Sequence, residues 1–348
     1  MTSGNRPALA RPEAASRARA PVRIGLLGAS GFLGAHVCRR GRSGEVDVVP
    51  IAGPRVDRQP HAGAETVARR WVAANGDAFD SLCTRLAGFD VVINAAGMAA
   101  PRSADVAALE AANTVQPVVV ARACARAGVR RLVHVSTAAV QGRMDPLDET
   151  ARHLPFSPYT RTKAAAERHL LDTAGERPSE VVVYRPTSVL APERGTTRLV
   201  ARVAAAPIVP VVAEGHQPLP FALVDNVAAG ILFAAATPVA SPIVVQPDEG
   251  MTTRDLLSLF GARRLVPLAA GPVRSGLSGI RRCTTGLPSL STAVRGLELL
   301  LLGQRVAESS LTRAGFVPPA GREAWQALAR SARGTGRRGP PAAAPPGL

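Results

Sequence analysis

Short runs of consecutive apolar residues alternate, from Val22 onward, with segments in which apolar residues recur at helical spacing. The runs predict strands over residues 22–27, 46–51, 90–94, 131–136 and 181–185. The segments between them predict helices over residues 32–40, 79–86, 104–127 and 159–173. Strands that are apolar on both faces are typical of a parallel sheet covered by helices on either side. The pattern therefore predicts an α/β fold built on a doubly wound parallel sheet.

The regular alternation ends near Leu190, and the later elements are shorter and separated by Pro and Gly. A helix predicted at 253–260 and an apolar run at 297–302 indicate a smaller C-terminal lobe. Residues 222–245 are expected to return partly to the main sheet. We therefore predict four parts: a disordered basic tail (1–21), a sheet domain (22–190), the C-terminal lobe (191–330) and a disordered Gly/Pro/Ala tail (331–348).

The composition is that of a globular chain with an aliphatic core. Apolar residues make up 46% of the 348 residues, whereas aromatic residues make up only 3%. The four cysteines are far apart and show neither the spacing of a metal site nor that of a disulfide framework. We therefore predict reduced thiols in a cytoplasmic protein that holds no metal.

The formal net charge is +16, which raises the question of an anionic partner. The arginines are spread through the chain without the basic stripe and interleaved aromatic residues of nucleic-acid-binding proteins, so we expect no nucleic acid partner. The uncharged run 227–245 has the length of a membrane span, but Pro238 and Pro242 divide it into a short helix and a strand. We therefore expect no membrane span. Binding of a small ligand that carries phosphate would account for part of the positive charge.

Three glycines follow the first predicted strand and lead directly into a helix. Gly28 permits a tight turn, Gly31 lets the backbone approach a pyrophosphate, and Gly34 lets the helix pack closely on the strand. The N-terminus of that helix would then face the phosphates. The predicted dinucleotide-binding residues of this turn are Gly28, Ser30, Gly31, Phe32, Leu33 and Gly34.

Lysine occurs only once in the chain, since all the other members of the 42 Lys and Arg residues are arginine. This Lys163 follows Tyr159, one of only two tyrosines, by four residues, which is one turn of a helix. Arginine cannot replace lysine where a compact ammonium group must act on the pKa of a neighbour. The spacing therefore predicts a catalytic pair in preference to an ordinary pair on a helix surface.

Five motifs share the order and spacing of one known family: the glycine turn, Asn94-Ala95-Ala96-Gly97, Val135-Ser136-Thr137, Tyr159-x-x-x-Lys163 and Tyr184-Arg185-Pro186-Thr187. Through them the chain resembles the extended short-chain dehydrogenases/reductases, in particular the NAD-dependent epimerase/dehydratase family, over about residues 22–320. The resemblance implies a Rossmann-type fold in which the sheet domain binds NAD(P) and the C-terminal lobe binds the substrate. It also suggests a homodimer.

The same resemblance implies a mechanism. Tyr159 would be the general acid/base that exchanges a proton with a carbonyl or hydroxyl group of the substrate. Lys163 would supply a positive charge that lowers the pKa of the tyrosine, and it would bond the nicotinamide ribose. Thr137 would hold the reacting oxygen through its hydroxyl, with the adjacent Ser136 as the second candidate.

The residues after the second strand bear on the choice of cofactor. NAD-binding relatives carry an acidic residue there for the ribose 2′-OH. Here the segment is Ala52-Gly53-Pro54-Arg55, and Asp57 lies beyond the expected position. Arg55 favours NADP, whose 2′-phosphate needs a positive partner, although it could also be one surface arginine among many; NAD is the alternative cofactor. The resemblance adds as cofactor-binding residues Asp77 at the adenine, the turn residues Ala95, Ala96 and Gly97, Asn113, and Pro186 beside the nicotinamide.

One departure from the family pattern concerns the substrate. Members that act on nucleoside-diphosphate sugars usually carry an arginine seven residues before the aspartate that here is Asp225, and this position is Pro218. Arg194, Arg198 or Arg202 could serve instead.

The leading hypothesis is an oxidoreductase or epimerase that acts on a keto/secondary-alcohol pair in a nucleotide-linked sugar. The alternatives are a reductase of a non-sugar ketone, of the hydroxysteroid or flavonoid-reductase kind, and a non-catalytic NAD(P)-sensing protein.

Overall fold

The computed structural model describes residues 22–42, 46–57, 63–103, 105–176, 178–284 and 287–335. The predicted tail at 1–21 and most of the predicted tail at 331–348 lie outside these ranges. Within them, no helix combines the length and the apolar character needed to cross a membrane.

The strands of the described residues are short and follow the predicted order. They are β1 (Arg23–Leu27), β2 (Asp47–Ile51), β3 (Val91–Asn94), β4 (Arg131–Val135), β5 (Glu180–Arg185), β6 (Ser188–Leu190), β7 (Val209–Val212), β8 (Phe221–Leu223), β9 (Ile243–Val245) and β10 (Leu265–Leu268).

The helices of the sheet domain and of the C-terminal lobe alternate with these strands. They are α1 (Phe32–Gly41), α2 (Ala64–Ala74), α3 (Gly76–Leu86), α4 (Val106–Glu110), α5 (Gln116–Ala127), α6 (Pro158–Asp172), α7 (Gly195–Ala204), α8 (Val224–Ala236), α9 (Thr253–Leu259), α10 (Ala270–Cys283), α11 (Pro288–Leu302), α12 (Ser310–Arg313) and α13 (Arg322–Thr335). A π-helical turn at Ala111–Val115 joins α4 to α5.

Six strands form one parallel sheet in the order β2-β1-β3-β4-β5-β9. Leu27, at the end of β1, pairs with Ile51 of β2 and with Asn94 of β3, so the loops after these strands leave the same edge of the sheet. The strand order reverses at β1, because β2 lies on one side of it and β3 on the other. Ligands of such sheets bind in the crevice at this point. The predicted α/β fold with a parallel sheet is confirmed.

Helices cover both faces of the sheet, which explains why its strands are apolar throughout. Leu26 and Leu27 are adjacent and both fully buried, but they belong to the cores on opposite faces. Helices α2, α3 and α5 contribute to the first core, and α1 and α8 to the second. Because successive side chains of a strand point to opposite faces, a strand between two helical layers needs apolar residues at every position.

The C-terminal lobe has its own core and two small parallel strand pairs, β6–β8 and β7–β10. Phe260 of the segment after α9 and Trp325 of α13 are central to this core. Between these elements, α8 packs on α1 and β9 pairs with β5, so residues 224–245 lie with the main sheet.

Several elements differ from the sequence-based prediction, among them three that bear on the site or on the predicted C-terminal tail. Helix α2 was not predicted, and the helix predicted at 104–127 is interrupted by the π-helical turn. Helix α13 continues to Thr335, so residues 331–335 are helical and do not belong to a disordered tail. The reason is an apolar stripe at helical spacing, in which Leu328, Ala329 and Ala332 are buried.

Candidate active site

The turn after β1 depends on two of its glycines. Gly28 has a positive φ of 83°, and a Cβ atom on it would lie 2.5 Å from the backbone nitrogen of Ala96. A Cβ atom on Gly34 would lie 2.1 Å from the carbonyl oxygen of Gly28. Any side chain at either position would therefore push apart the β1 turn, the β3 turn or the start of α1. The amide of Gly31 donates to the carbonyl of Gly28 at 2.9 Å and closes the turn.

A cavity of about 700 Å³ opens beside this turn. Its walls come from the glycine turn, the segment after β2, the turn after β3 and the π-helical turn. The predicted residues among its lining are Gly28, Ser30, Arg55, Ala96 and Gly97, and residues not predicted include Met98, Ala111, Ala112 and Gln116. The predicted adenine contact, Asp77, is exposed in the first turn of α3 and is not among the lining residues.

Two side chains from α2 and α3 hold the segment after β2 in place. The indole nitrogen of Trp71 donates to the carbonyl of Arg55 at 3.1 Å, and the Arg85 guanidinium donates to the carbonyl of Ala52 at the same distance. The Arg55 side chain is exposed, and no carboxylate of the described residues pairs with it. Of the described residues that line the cavity, none is acidic. This part of the cavity therefore carries one uncompensated cation.

The π-helical turn positions Asn113, a predicted site residue. The Asn113 Oδ1 accepts a hydrogen bond from the amide of Met98 at 2.8 Å, and its Nδ2 donates to the carbonyl of Met98 at 3.1 Å. The next residue, Thr114, donates its hydroxyl to the carbonyl of Thr162 at 2.9 Å. A π-helical turn accommodates one extra residue in a helix and is frequent at functional sites. Here it joins the turn after β3 to helix α6.

Helix α6 carries the Tyr–Lys pair and begins at a well-defined cap. The Ser157 hydroxyl accepts from the amide of Thr160 at 3.2 Å, and the Thr160 hydroxyl accepts from the amide of Ser157 at 2.9 Å. This reciprocal capping fixes the first turn of α6, in which Tyr159 lies. Lys163 follows one turn later on the same face.

Lys163 is buried beside the cavity wall. Its Nζ donates to the carbonyl of Val135 at 3.0 Å, and a Cβ atom on Gly97 would lie 3.4 Å from this nitrogen. Gly97 lines the cavity, so the ammonium group lies at the boundary between α6 and the cavity. Burial lowers the pKa of Lys163 to about 8, although the nearby Glu167 carboxylate acts in the opposite direction.

Tyr159 is a neutral phenol at physiological pH. Burial raises the pKa of Tyr159 to about 12, while the positive charge of Arg194 and a hydrogen bond from the Thr137 hydroxyl act to lower it. The resemblance implies that Lys163 has this electrostatic role, which stays a prediction; in the structure, Arg194 is the cation that opposes part of the effect of burial on the pKa of Tyr159. The sequence alone indicates Arg194 only as a possible contact of the substrate.

The two hydroxyl candidates after β4 differ in their surroundings. Ser136 is buried, and its hydroxyl donates to the Glu167 carboxylate. Thr137 is partly buried, and its oxygen accepts from the amide of Ala139 at 3.2 Å while it also reaches Tyr159. The Ser136 hydroxyl is therefore occupied by its hydrogen bond to the buried Glu167 carboxylate. Of the two candidates, Thr137 is the hydroxyl beside Tyr159.

A buried ionic cluster that the sequence analysis did not identify lies beneath this site. Glu167, one turn after Lys163, is fully buried; its Oε2 lies 2.6 Å from Arg185 Nη2 and 2.8 Å from His153 Nε2. Although burial acts to raise it, hydrogen bonds from His153, Arg185 and Ser136 keep the pKa of Glu167 below its ordinary value. The glutamate was detectable, since Tyr159, Lys163 and Glu167 recur at four-residue spacing on one helix face.

Two further predicted positions can be placed. Pro186 is buried, and its carbonyl accepts from the amide of Ala138 at 2.8 Å, which connects it to the segment after Thr137. At the expected diphosphate position, Pro218 pairs with Thr252 in an isolated antiparallel bridge, and its carbonyl accepts from the amide of Gln304 at 2.9 Å. Residue 218 is therefore part of the lobe backbone and offers no cation.

Comparisons with known proteins agree with this architecture. The model of the NAD dependent epimerase/dehydratase family matches residues 24–245. A 4-hydroxy-2-methyl-3-oxo-4-farnesyl-3,4-dihydroquinoline-1-oxide ketoreductase from Stigmatella aurantiaca is 37% identical over 109 residues, which cover 30% of this chain and 32% of that protein. The alignment thus spans about a third of the relative's length.

Solved structures show the same fold. A UDP-glucose 4-epimerase from Thermus thermophilus, in complex with NAD, superimposes with a TM-score of 0.57 at 19% identity, covering 90% of this chain and 99% of the other. RMD from Pseudomonas aeruginosa, complexed with NADPH, gives a TM-score of 0.57 at 18% identity with the same coverage. Proteins of this fold have thus been solved with either nicotinamide cofactor.

Proposed function

Because the chain belongs to the NAD-dependent epimerase/dehydratase family, we propose that it is an NADP(H)-dependent enzyme that interconverts a ketone and a secondary alcohol. The observation that carries this proposal is the buried Lys163 ammonium, which lies between the carbonyl of Val135 and the cavity wall at Gly97, one helical turn from Tyr159. Burying a cation costs free energy, so a buried ammonium group calls for a functional reason. Since every other member of the 42 Lys and Arg residues is an arginine, a purely structural cation in this chain does not require lysine.

The proposed chemistry assigns one task to each side chain. The bound nicotinamide supplies or accepts a hydride, and the residues of the chain handle the proton. Tyr159 donates its phenolic proton to the substrate oxygen during reduction, which suits a group whose pKa is about 12. Thr137 holds that oxygen through its hydroxyl, and the Lys163 ammonium, facing the cavity at Gly97, would bond the nicotinamide ribose.

The preference for NADP rests on the segment after β2. Arg55 lies in the cavity lining, its backbone is held by Trp71, and no acidic residue is present among the described lining residues to bond a ribose 2′-hydroxyl. NADP as the cofactor favours net reduction of a ketone over epimerisation, because an epimerase recycles its bound hydride and does not draw on the cellular NADPH pool.

Replacing Arg55 with alanine is expected to weaken NADP binding selectively. A charge-assisted contact to the 2′-phosphate contributes about 1.5–3 kcal/mol, so the Kd for NADPH should rise about tenfold or more while the Kd for NADH hardly changes. Titration of nicotinamide fluorescence measures both constants. Arg70→Ala, which removes an exposed charge from α2, is the control. Equal losses for both cofactors would contradict the assignment and favour an NAD-dependent epimerase.

Two substrate classes follow from different observations. Nucleotide-linked sugars are the first class, supported by the family and by the nucleotide-sugar enzymes among its structural relatives. Non-sugar ketones are the second class, supported by Pro218 at the usual arginine position and by the likeness to a farnesyl-quinoline-oxide ketoreductase. A non-catalytic NAD(P)-sensing protein is disfavoured because the chain retains Tyr159 and Lys163.

Thermal unfolding separates the two classes. If the substrate is a nucleotide-linked sugar, UDP or dTDP should raise the Tm of the NADPH-saturated protein, because a ligand that binds only the folded state stabilises it by RT ln(1 + [L]/Kd). AMP at the same concentration controls for general anion effects. A Tm that neither diphosphate moves would favour the non-sugar ketone.

A further inference from the structure

Three consecutive residues at the end of β4 contact three successive turns of α6. The contacts join Val135 to Lys163, Ser136 to Glu167 and Thr137 to Tyr159. The three partners on α6 are spaced by four residues, so they lie on one face of the helix. Two of the contacts involve proposed catalytic residues of α6. The contact of Ser136 with Glu167 lies between them in the strand and has no task in the proposed chemistry.

The Glu167 carboxylate is held from the side of β5 as well. Its Oε2 lies 2.6 Å from Nη2 of Arg185, the last residue of β5, and accepts from Nε of the same guanidinium at 3.1 Å. Nη1 of Arg185 donates to the carbonyl of Thr150 at 2.8 Å, and Nε2 of His153 lies 2.8 Å from the carboxylate. One carboxylate therefore connects the ends of β4 and β5 with α6 and with the loop that precedes it.

Stability alone does not explain a fully buried ion pair at this place. Burying two charges costs free energy that apolar packing would avoid. At the opposite end of the same two strands, Arg131 of β4 lies 2.8 Å from Glu180 of β5, whose side chain is 44% exposed. A partly exposed pair is thus sufficient to join these strands, and the fully buried pair lies at the edge that carries the proposed catalytic residues.

We propose that Glu167 is a positioning residue, which fixes the carboxyl end of β4 against α6. Without its contact to the strand, the Thr137 hydroxyl and the Val135 carbonyl would be free to shift relative to the helix. A misplacement of about 1 Å can lower a rate about 10²-fold. The charge of Glu167 also favours the ammonium form of Lys163, one turn away. The inference rests on the proposed function, since it concerns the alignment of the proposed catalytic residues.

Four other charged or titratable groups surround Lys163 and Glu167. They are His134 of β4, Tyr159 of α6, Arg185 of β5 and His153 of the loop before α6. Burial lowers the pKa of His134 to about 3, so this ring is neutral. Within the described parts of the chain, Glu167 is the carboxylate that acts on the pKa of Lys163. Its replacement by glutamine should therefore destabilise the lysine cation.

The single lysine of the chain makes this effect measurable without a substrate. Lysine labelled with ¹³C at Cε gives one NMR signal, whose pH titration reports the pKa of Lys163, about 8 in the unmodified protein. Glu167→Gln is expected to lower this pKa by about one pH unit or more. It should also lower kcat for NADPH-dependent reduction of a ketone about 10-fold to 100-fold at a nearly unchanged KM.

Two further variants separate charge, reach and stability. Glu167→Asp keeps the charge but withdraws the carboxylate from Ser136, so it should lower kcat while the pKa of Lys163 stays near about 8. Glu180→Gln removes the carboxylate from the other arginine pair of β4 and β5 and should change neither quantity, although it can lower the Tm.

Normal kcat in both Glu167 variants would overturn the proposal, whatever happens to the Tm, because the cluster would then serve the fold alone. If Glu167→Gln does not fold, normal kcat in Glu167→Asp is sufficient to overturn it. A fully active Tyr159→Phe would instead overturn the proposed function. The two failures are distinguishable, because an inactive Tyr159→Phe beside fully active Glu167 variants leaves the proposed function in place.

Discussion

Replacing Tyr159 with phenylalanine is expected to lower kcat about 10²-fold to 10⁴-fold, the usual contribution of general acid/base catalysis. The substitution keeps the ring that packs at the start of α6 and removes only the proton that we propose is transferred. Because its pKa is about 12, Tyr159 is protonated over the whole physiological pH range. The expected decrease in kcat should therefore be visible at any pH in that range. Initial rates at the nicotinamide absorbance measure the effect once a substrate has been found by screening the cofactor-loaded protein.

The second tyrosine of the chain is a matched control for this substitution. Tyr184 is fully buried in β5, and its hydroxyl bonds to the Gln246 side chain, away from the cavity lining. Tyr184→Phe should therefore lower the free energy of unfolding by about 0.5–1.5 kcal/mol and leave kcat nearly unchanged. Near-normal turnover by Tyr159→Phe would eliminate Tyr159 as the general acid, whatever the control shows.

Replacing Lys163 with arginine should be nearly as damaging, although the formal charge is kept. The Nζ of Lys163 lies in a buried position between the Val135 carbonyl and Gly97, where a planar and larger guanidinium has no room to make the same contact. We expect a loss of about 10²-fold or more in kcat/KM, together with a higher Kd for the cofactor, since this ammonium would bond the nicotinamide ribose. Steady-state rates and cofactor titration measure the two effects separately.

The reverse substitution on the same helix is the control. Arg161→Lys exchanges the same two residue types at an exposed position of α6 and should change neither constant. If Lys163→Arg also retained normal kcat/KM and cofactor affinity, the special position of the single lysine would have no catalytic meaning, and the Tyr–Lys assignment would fail.

The pH dependence of reduction provides a second signature of Lys163. Its pKa is lowered to about 8, so the cation is present below pH 8 and is lost as the pH rises through that value. Glu167, which stays ionised, and His134, a buried histidine whose pKa is lowered to about 3 and which is therefore neutral, face the same group and do not titrate in this window. The kcat/KM for reduction should accordingly fall above about pH 8.

Much of this site could be predicted because its signals are local in sequence. The glycine turn depends on three positions within seven residues, and the space that a Cβ atom would invade at Gly28 and Gly34 explains why glycine is needed. The Tyr–Lys spacing depends on a single turn of α6, and the parallel sheet follows from strands that are apolar at every position. A short spacing carries the same meaning wherever the segment lies in the fold.

Contacts between segments that are distant in the chain could not be predicted in this way, even where the residue itself was named. Asn113 is positioned by a π-helical turn that the helical periodicity did not show, and the Ser136 hydroxyl is directed away from the site by Glu167, a partner 31 positions later in the chain. Helix α2, which holds the Arg55 segment through Trp71, was also missed. Each of these depends on which elements pack together, and the one-dimensional pattern does not contain that information.

The pKa of Tyr159, the proposed proton donor, shows most clearly what the sequence predicts and what only the tertiary structure decides. The local pattern of apolar residues was sufficient to predict the parallel sheet, and the glycines and the Tyr–Lys spacing were sufficient to predict a dinucleotide turn and a candidate acid/base, which stay predictions. Only the folded chain brings Arg194, 35 positions from Tyr159, to the ring of Phe32 and close enough for its charge to act on the pKa of Tyr159. Charges act through space, so their effect on a pKa depends on distance and burial. Tertiary packing determines both quantities, and the number of residues between two positions does not.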